Sequence, residues 1–222
     1  MYKVDWKKEW PHLLLVAAVI IASVVLYPKF PEIMPSHWNV AGEVDGYMPR
    51  LQNVLMLSGL AVGMYFLLLF IPFFDPKRKS YAMFLDSYRM LRLCLLLVIS
   101  GVIGVVYAAS LGVALNVGDL ITAGVSLLLI FLGNMMGKFP QNYFVGIRLP
   151  WTLADEENWN KTHRFGGKVI VIAGIVTFLS IFLPMMLRLV IFFSAIFAII
   201  IIPAIYSLRL DLEKQSKDKK VS

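Results

Sequence analysis

The sequence predicts an all-α integral membrane protein: a six-transmembrane-helix bundle with a small extracellular cap after helix 1 and an interfacial helix before helix 5. Apolar residues make up 59% of the 222 and charged residues 16%, with a mean hydropathy of +0.75; an ordinary soluble domain has about 45–50% and about 25%. Six apolar runs, at about 11–27, 54–74, 91–111, 120–136, 169–187 and 189–208, are each close to the ~17–25 residues that cross a hydrocarbon core. Lysine and arginine are unevenly spread: 18 fall in the N-terminal segment, the second loop with Arg92 beside it, the fourth loop and the C-terminal segment, and three elsewhere. By the positive-inside rule both termini and the 137–168 loop are cytoplasmic, in a multi-pass protein of the plasma membrane. Spans of this length leave no room for a separate soluble domain, so residues 1–222 form a single membrane domain.

The first run is longer than a signal-peptide core and is followed by Pro28-Lys29-Phe30-Pro31 rather than a cleavage site, so it reads as an uncleaved span. The loop at 28–53 is rich in turn formers, and its Trp38-Asn39-Val40 and Asp45-Gly46 stretches predict a small hairpin. The basic 75–90 loop reads as lying on an anionic leaflet. The last two runs are separated only by Arg188; an unbroken helix of that length would be about 60 Å long, twice the core thickness, so the chain turns near 184–188. The C-terminal segment reads as a solvated helix end that frays. Trp6, Trp10, Trp151 and Tyr206 are placed at one interface and Tyr27 and Tyr107 at the other. Gly59-xxx-Gly63, Ser100-xxx-Gly104 and Gly133-xxx-Gly137 allow close helix approach within the bundle.

The longest polar interruption is 133–167. Thr152-Leu-Ala-Asp155 has the form of a capping box, with acids at the following positive helix end, Lys161, His163 and Arg164 near the negative end, and Gly166-Gly167 as terminator. Asp155, Trp159 and His163 share one face, where Trp159 would dip into the interface or cover a pocket.

Two segments resemble the SdpI family of membrane immunity proteins against a bacterial sporulation-delaying toxin. One comprises Pro35, His37, Trp38, Asn39, Gly42, Asp45, Gly46 and Tyr47. The other runs through Gly133, Asn134, Gly137, Lys138, Asn142, Tyr143, Gly146, Arg148, Pro150, Trp151, Thr152, Leu153, Trp159, Thr162, His163, Arg164 and Gly166. The resemblance implies protection against a secreted toxin peptide, with His37, Trp38, Asn39, Asp45 and Tyr47 on a toxin-facing outer loop. It also implies a signalling role in which a soluble repressor protein is held at the membrane. Asn134, Lys138, Asn142, Arg148, Trp151, Thr152, Trp159, Thr162, His163 and Arg164 form the cytoplasmic motif.

Other functions are read against this. The net charge of +7 is accounted for by topology, so the expected partner is the lipid bilayer and no direct nucleic acid is expected. His37 and Asp45 fall on one side and His163 and Asp155 on the other, so they cannot share a metal site. No nucleophile sits in a recognisable motif, so no catalytic residues, metal or cofactors are expected and an enzyme is not. The spans contain almost no acids, His or Lys, which argues against a proton-driven pump. Asn134 either lines a polar vestibule or makes a helix-end hydrogen bond. A small-solute or lipid transporter or permease and a structural envelope component are the alternatives. The single Cys94 excludes an intramolecular disulfide.

Overall fold

The computed structural model describes the backbone of residues 4–221 and the side chains of residues 4–219. The helices are α1 (Trp10–Leu26), α2 (Arg50–Phe74), α3 (Leu85–Ser110), α4 (Val117–Met136), the short α5 (Pro150–Ala154), α6 (Glu156–Leu179) and α7 (Met185–Val221). All but α5 are long and apolar enough to cross a membrane. A two-stranded antiparallel sheet, β1 (Ile33–Trp38) with β2 (Val44–Pro49), lies between α1 and α2. The protein is therefore a multi-pass, mostly helical membrane protein. Among the described residues the chain divides into two compact units, one of residues 4–70 with 89–125, the other of 71–88 with 126–221.

In the first unit, Pro11 opens α1 at a position where its missing N–H is not needed. Val19, Val54, Leu57, Ala61, Ile103 and Val106 form a core with Phe30 and Met34 from the segment after α1. The hairpin turn is built by Asn39, whose Oδ1 accepts from the Ala41 and Glu43 amides at 2.9 and 3.0 Å. Gly42 supplies the left-handed backbone, at φ 80°. The hairpin is fixed to α2 by the Arg50 amide on Glu32 O at 2.8 Å and by Asn53 Nδ2 on Pro35 O at 3.0 Å. One end of α3 is closed by Gly112 at φ 81°, with the Val113 amide donating back to Ala108 O at 3.1 Å. Tyr107, placed at an interface by sequence, is instead buried, its hydroxyl 2.7 Å from Ser23 Oγ.

In the second unit, α4 and α6 touch through backbone. A Cβ on Gly133 would lie 2.6 Å from Gly167 O, and one on Gly174 would lie 2.9 Å from Ser126 O. The small-residue reading therefore holds for Gly133. For Gly59, Gly63 and Gly104 it does not, because nothing lies within 4 Å of an added Cβ. We expect Gly133→Ala to cost about 1–3 kcal/mol by forcing two helices apart, and Gly59→Ala to stay within about 0.5 kcal/mol of wild type. Thermal unfolding of the two variants in detergent checks the contrast.

The chain turns through a 3-10 segment at Ser180–Phe182, earlier than the expected 184–188, and Arg188 Nη2 donates to Ile181 O at 2.7 Å across the turn. Pro184 precedes α7, where the chain cannot stay helical. The expected fraying is not found: α7 is one helix to Val221. Its many exposed apolar side chains, such as Phe193, Phe197 and Ile201, are what a lipid-facing helix carries.

Candidate functional site

Buried side chains hold the 137–155 loop against the start of α6. Asn142 satisfies the loop from within, its Oδ1 accepting from the Phe144 and Val145 amides at 2.9 and 2.7 Å and its Nδ2 donating to Pro140 O and Val145 O at 2.9 and 3.0 Å. Trp159 is fully buried rather than dipping into an interface, and its Nε1 donates to Phe139 O at 2.8 Å. One turn on, the His163 ring stacks on it with centroids 3.9 Å apart. The Ile147 amide donates to His163 Nε2 at 2.9 Å, so the ring proton sits on Nδ1, from which it donates to Trp159 O at 2.8 Å. Both ring nitrogens are committed to backbone, which leaves His163 no lone pair for a ligand or a proton. Gly146 passes directly over this ring at φ 121°, and a Cβ there would come within 2.2 Å of Nε2.

The capping expected of Thr152 is corrected. Thr152 is the third residue of α5, where its Oγ1 accepts from the Leu149 amide at 2.8 Å and lies 2.9 Å from both Ile147 O and Leu149 O. Pro150, which has no N–H to satisfy, starts α5. Asp155 caps α6 instead, accepting from the Glu157 amide at 3.0 Å. Gly166 and Gly167 do not end a helix; α6 runs through them to Leu179, because their role is close contact. A Cβ on Gly166 would meet Ile147 Cδ1 at 2.5 Å and Pro203 of α7 at 3.3 Å.

Asp155 also accepts from Lys214 Nζ on α7 at 3.1 Å. Partial burial alone would raise its carboxyl pKa, but hydrogen bonds from Lys214 and from the Glu157 and Asn158 amides outweigh this and hold it below the usual carboxylate value. The folded pKa is depressed, so the contribution is present above the unfolded value and lost as pH falls through the folded one. Asp155→Ala is expected to cost about 1 kcal/mol at neutral pH and nothing once the carboxyl is protonated in both states. Unfolding midpoints of the two proteins measured across acid pH check this.

The remaining predicted residues fall into two groups. Thr162 is buried, its hydroxyl donating to Asn158 Oδ1 at 2.9 Å, while Asn158 Nδ2 donates to Ser207 O at 2.9 Å on α7. Trp151 is half-buried. Asn134, Lys138, Arg148 and Arg164 are exposed; Asn134 Nδ2 makes the local helix bond to Ile130 O at 2.8 Å, and Arg148 Nη1 donates to Tyr143 O at 2.6 Å. The loop therefore presents Arg148 outward beside the exposed rings of Tyr143 and Phe144. On the hairpin, His37 Nδ1 pairs with Asp45 and both are exposed with Tyr47, whereas Trp38 packs against the core and Asn39 builds the turn.

Sequence reasoning missed two supports of this loop. Buried Asp75 accepts from the Tyr81 hydroxyl and from the Tyr143 amide, both at 3.1 Å. Gln141 Nε2 donates to Thr152 O and Leu153 O at 2.7 and 2.8 Å, closing the end of α5, and its Oε1 accepts from Lys77. Asp75-Pro76, a turn-forming pair directly after an apolar run, was the available signal.

Residues 138–207, which hold this loop, α6 and most of the apolar part of α7, match the model of the SdpI/YfhL protein family. Residues 14–62, from α1 through the hairpin into α2, match a domain of unknown function, DUF1648. Over 197 residues the chain is 30% identical to the Immunity protein SdpI of Bacillus subtilis (strain 168), with 88% of this chain and 92% of that protein covered. No solved structure matches. A relationship of that identity along nearly the full length of both chains means that this protein belongs to the SdpI family.

Proposed function

We infer that the protein is a membrane immunity protein that protects its cell against a secreted antimicrobial or toxin peptide. The observation that carries the reading is the 30% identity to Immunity protein SdpI over 88% of the chain. The cation distribution supports an arrangement with both termini and the 137–155 loop in the cytoplasm and the β1–β2 hairpin outside. The hairpin is then the first surface a peptide from outside meets. Its free face carries the His37–Asp45 pair with Ile33 and Tyr47, 55% and 63% exposed, an apolar and charged mixture suited to an amphipathic peptide. Trp38 and Asn39 serve this face indirectly, by holding the hairpin in place.

Expression in a toxin-sensitive strain, with survival counted at verified membrane levels, tests the reading. Protection is expected, and unchanged killing across a panel of membrane-active peptides would sink it. Tyr47→Ala is expected to weaken protection about tenfold, the effect of removing one exposed anchor worth about 1–2 kcal/mol.

A second reading adds signalling. The exposed Arg148 with Tyr143 and Phe144 forms a basic, aromatic surface on a loop that buried side chains hold rigid, as capture of a soluble repressor requires. Arg148→Ala with Arg164→Ala should then abolish co-sedimentation of the repressor with membranes while survival is retained. The alternative is a small-solute or lipid transporter or permease; the cleft between α6 and α7, lined by apolar groups such as Val169, Ile172, Val176 and Val190, is a poor route for a polar solute but does not weigh against a lipid.

A further inference from the structure

A cluster of ionisable groups is buried within the first unit. Glu9 immediately precedes α1, His12 lies in the first turn of α1, Tyr65 on α2 and Arg92 on α3. Each is no more than 2% exposed. The Arg92 fork closes on Glu9, with Nη1 3.1 Å from Oε1 and Nη2 2.5 Å from Oε2. The Tyr65 hydroxyl donates to the same Oε2 at 3.4 Å, and the Arg92 guanidinium lies 5.8 Å from the centre of the Tyr65 ring. Bidentate pairing of this kind gives each carboxylate oxygen a guanidinium donor.

The orientation of His12 follows from its two neighbours. Its Nε2 lies 3.1 Å from Arg89 O, and since a carbonyl only accepts, Nε2 carries the proton. On a neutral ring Nδ1 then holds a bare lone pair. Nδ1 is buried without a hydrogen-bond partner and faces Glu9 Oε2 at 3.7 Å. Two lone pairs thus face each other across a gap slightly too wide for a hydrogen bond, in a space closed to solvent. Protonating Nδ1 would turn this contact between two acceptors into a charge-assisted hydrogen bond, against the cost of burying a further positive charge beside Arg92 and Arg89.

We propose that His12 Nδ1 and the Glu9 carboxylate form a proton-binding site in this protein. A proton from solvent is taken by the Nδ1 lone pair, and no other covalent bond changes. Nε2 keeps its hydrogen on Arg89 O in both states, so the ring need not turn. Glu9 then bridges two cations, Arg92 and protonated His12, and the cluster passes from zero net charge to one positive charge. The groups facing the ring are Glu9 from its own segment, Tyr65 from α2, and Arg89 and Arg92 from α3. Closing the gap to a charge-assisted hydrogen bond of about 2.8 Å draws the start of α1 toward the carboxylate that α3 already holds. The site does not rest on the immunity reading.

The test uses the full chain with isotope-labelled histidine in phospholipid nanodiscs. The chain has three histidines, so His12→Gln identifies the His12 signal. The expected result is a His12 Nδ1 resonance that changes from unprotonated to protonated as the pH is lowered, with the Nε2 proton retained throughout. A His12 ring that keeps a bare Nδ1 down to the lowest pH at which the protein stays folded overturns the proposal. Tyr65→Phe provides a second measurement that leaves the ion pair in place. Removing the competing donor from Oε2 should raise the His12 midpoint, and an unmoved midpoint would show that the proton is not shared with Glu9.

Discussion

Gly146→Ala is expected to destabilise the protein more than any other single methyl addition to the 137–155 loop. Two independent costs coincide there. The φ of 121° suits glycine, and an alanine there is strained by about 1–2 kcal/mol. The new Cβ would also lie within 2.2 Å of His163 Nε2, in the position from which the ring accepts the Ile147 amide. The ring is stacked on buried Trp159 and cannot retreat, so the clash breaks that hydrogen bond and leaves a buried acceptor unsatisfied, at about 1–3 kcal/mol. The sum is about 3 kcal/mol. Gly112→Ala is the control: its φ of 81° is also left-handed, but nothing lies within 4 Å of the added carbon. It should show the strain alone. Unfolding midpoints in detergent should rank wild type above Gly112→Ala and both above Gly146→Ala; equal losses in the two variants would mean that His163 does not hold the loop.

Arg92→Ala is the second large effect. It leaves the Glu9 carboxylate buried against Tyr65 without the fork that neutralises it, and losing one partner of a buried pair costs about 3–5 kcal/mol. Removing both charges, as Glu9→Leu with Arg92→Leu, should recover most of that loss, because two apolar side chains carry no desolvation penalty. The comparison is made by thermal unfolding and by yield of monodisperse protein. A double variant as unstable as the single one would place the cost in lost packing instead of uncompensated charge.

How far the site could be read in advance depended on the kind of signal each residue carries. Asn142, Thr152, Trp159, Thr162 and His163 stand together in the cytoplasmic motif, and the structure buries all five as supports of the loop. Polarity shows that a side chain needs hydrogen bonds but not whether backbone or a partner supplies them. The Gly166-Gly167 pair was misread for a similar reason, since a helix terminator and a close helix contact both need a residue without Cβ. His12 and Arg92 were the larger omission: they lie within apolar runs that seemed free of ionisable groups, and Glu9 seemed to be one more charge in a short polar lead.

The sequence by itself determined that this chain is a helical membrane protein with its polar loops in particular places, because hydrocarbon thickness and backbone hydrogen bonding restrict apolar runs to helices of fixed minimum length. It also determined that a folded hairpin follows the first helix, since turn formers act on their immediate neighbours. Only the tertiary structure decided which polar side chains are shared between distant segments: Glu9 with Arg92, Asp75 with the Tyr143 amide, Asn158 with Ser207, and His163 with the Ile147 amide beside Gly146. The physical reason is that a buried polar group takes its meaning from its partner, and a partner many residues away leaves no periodicity in the chain.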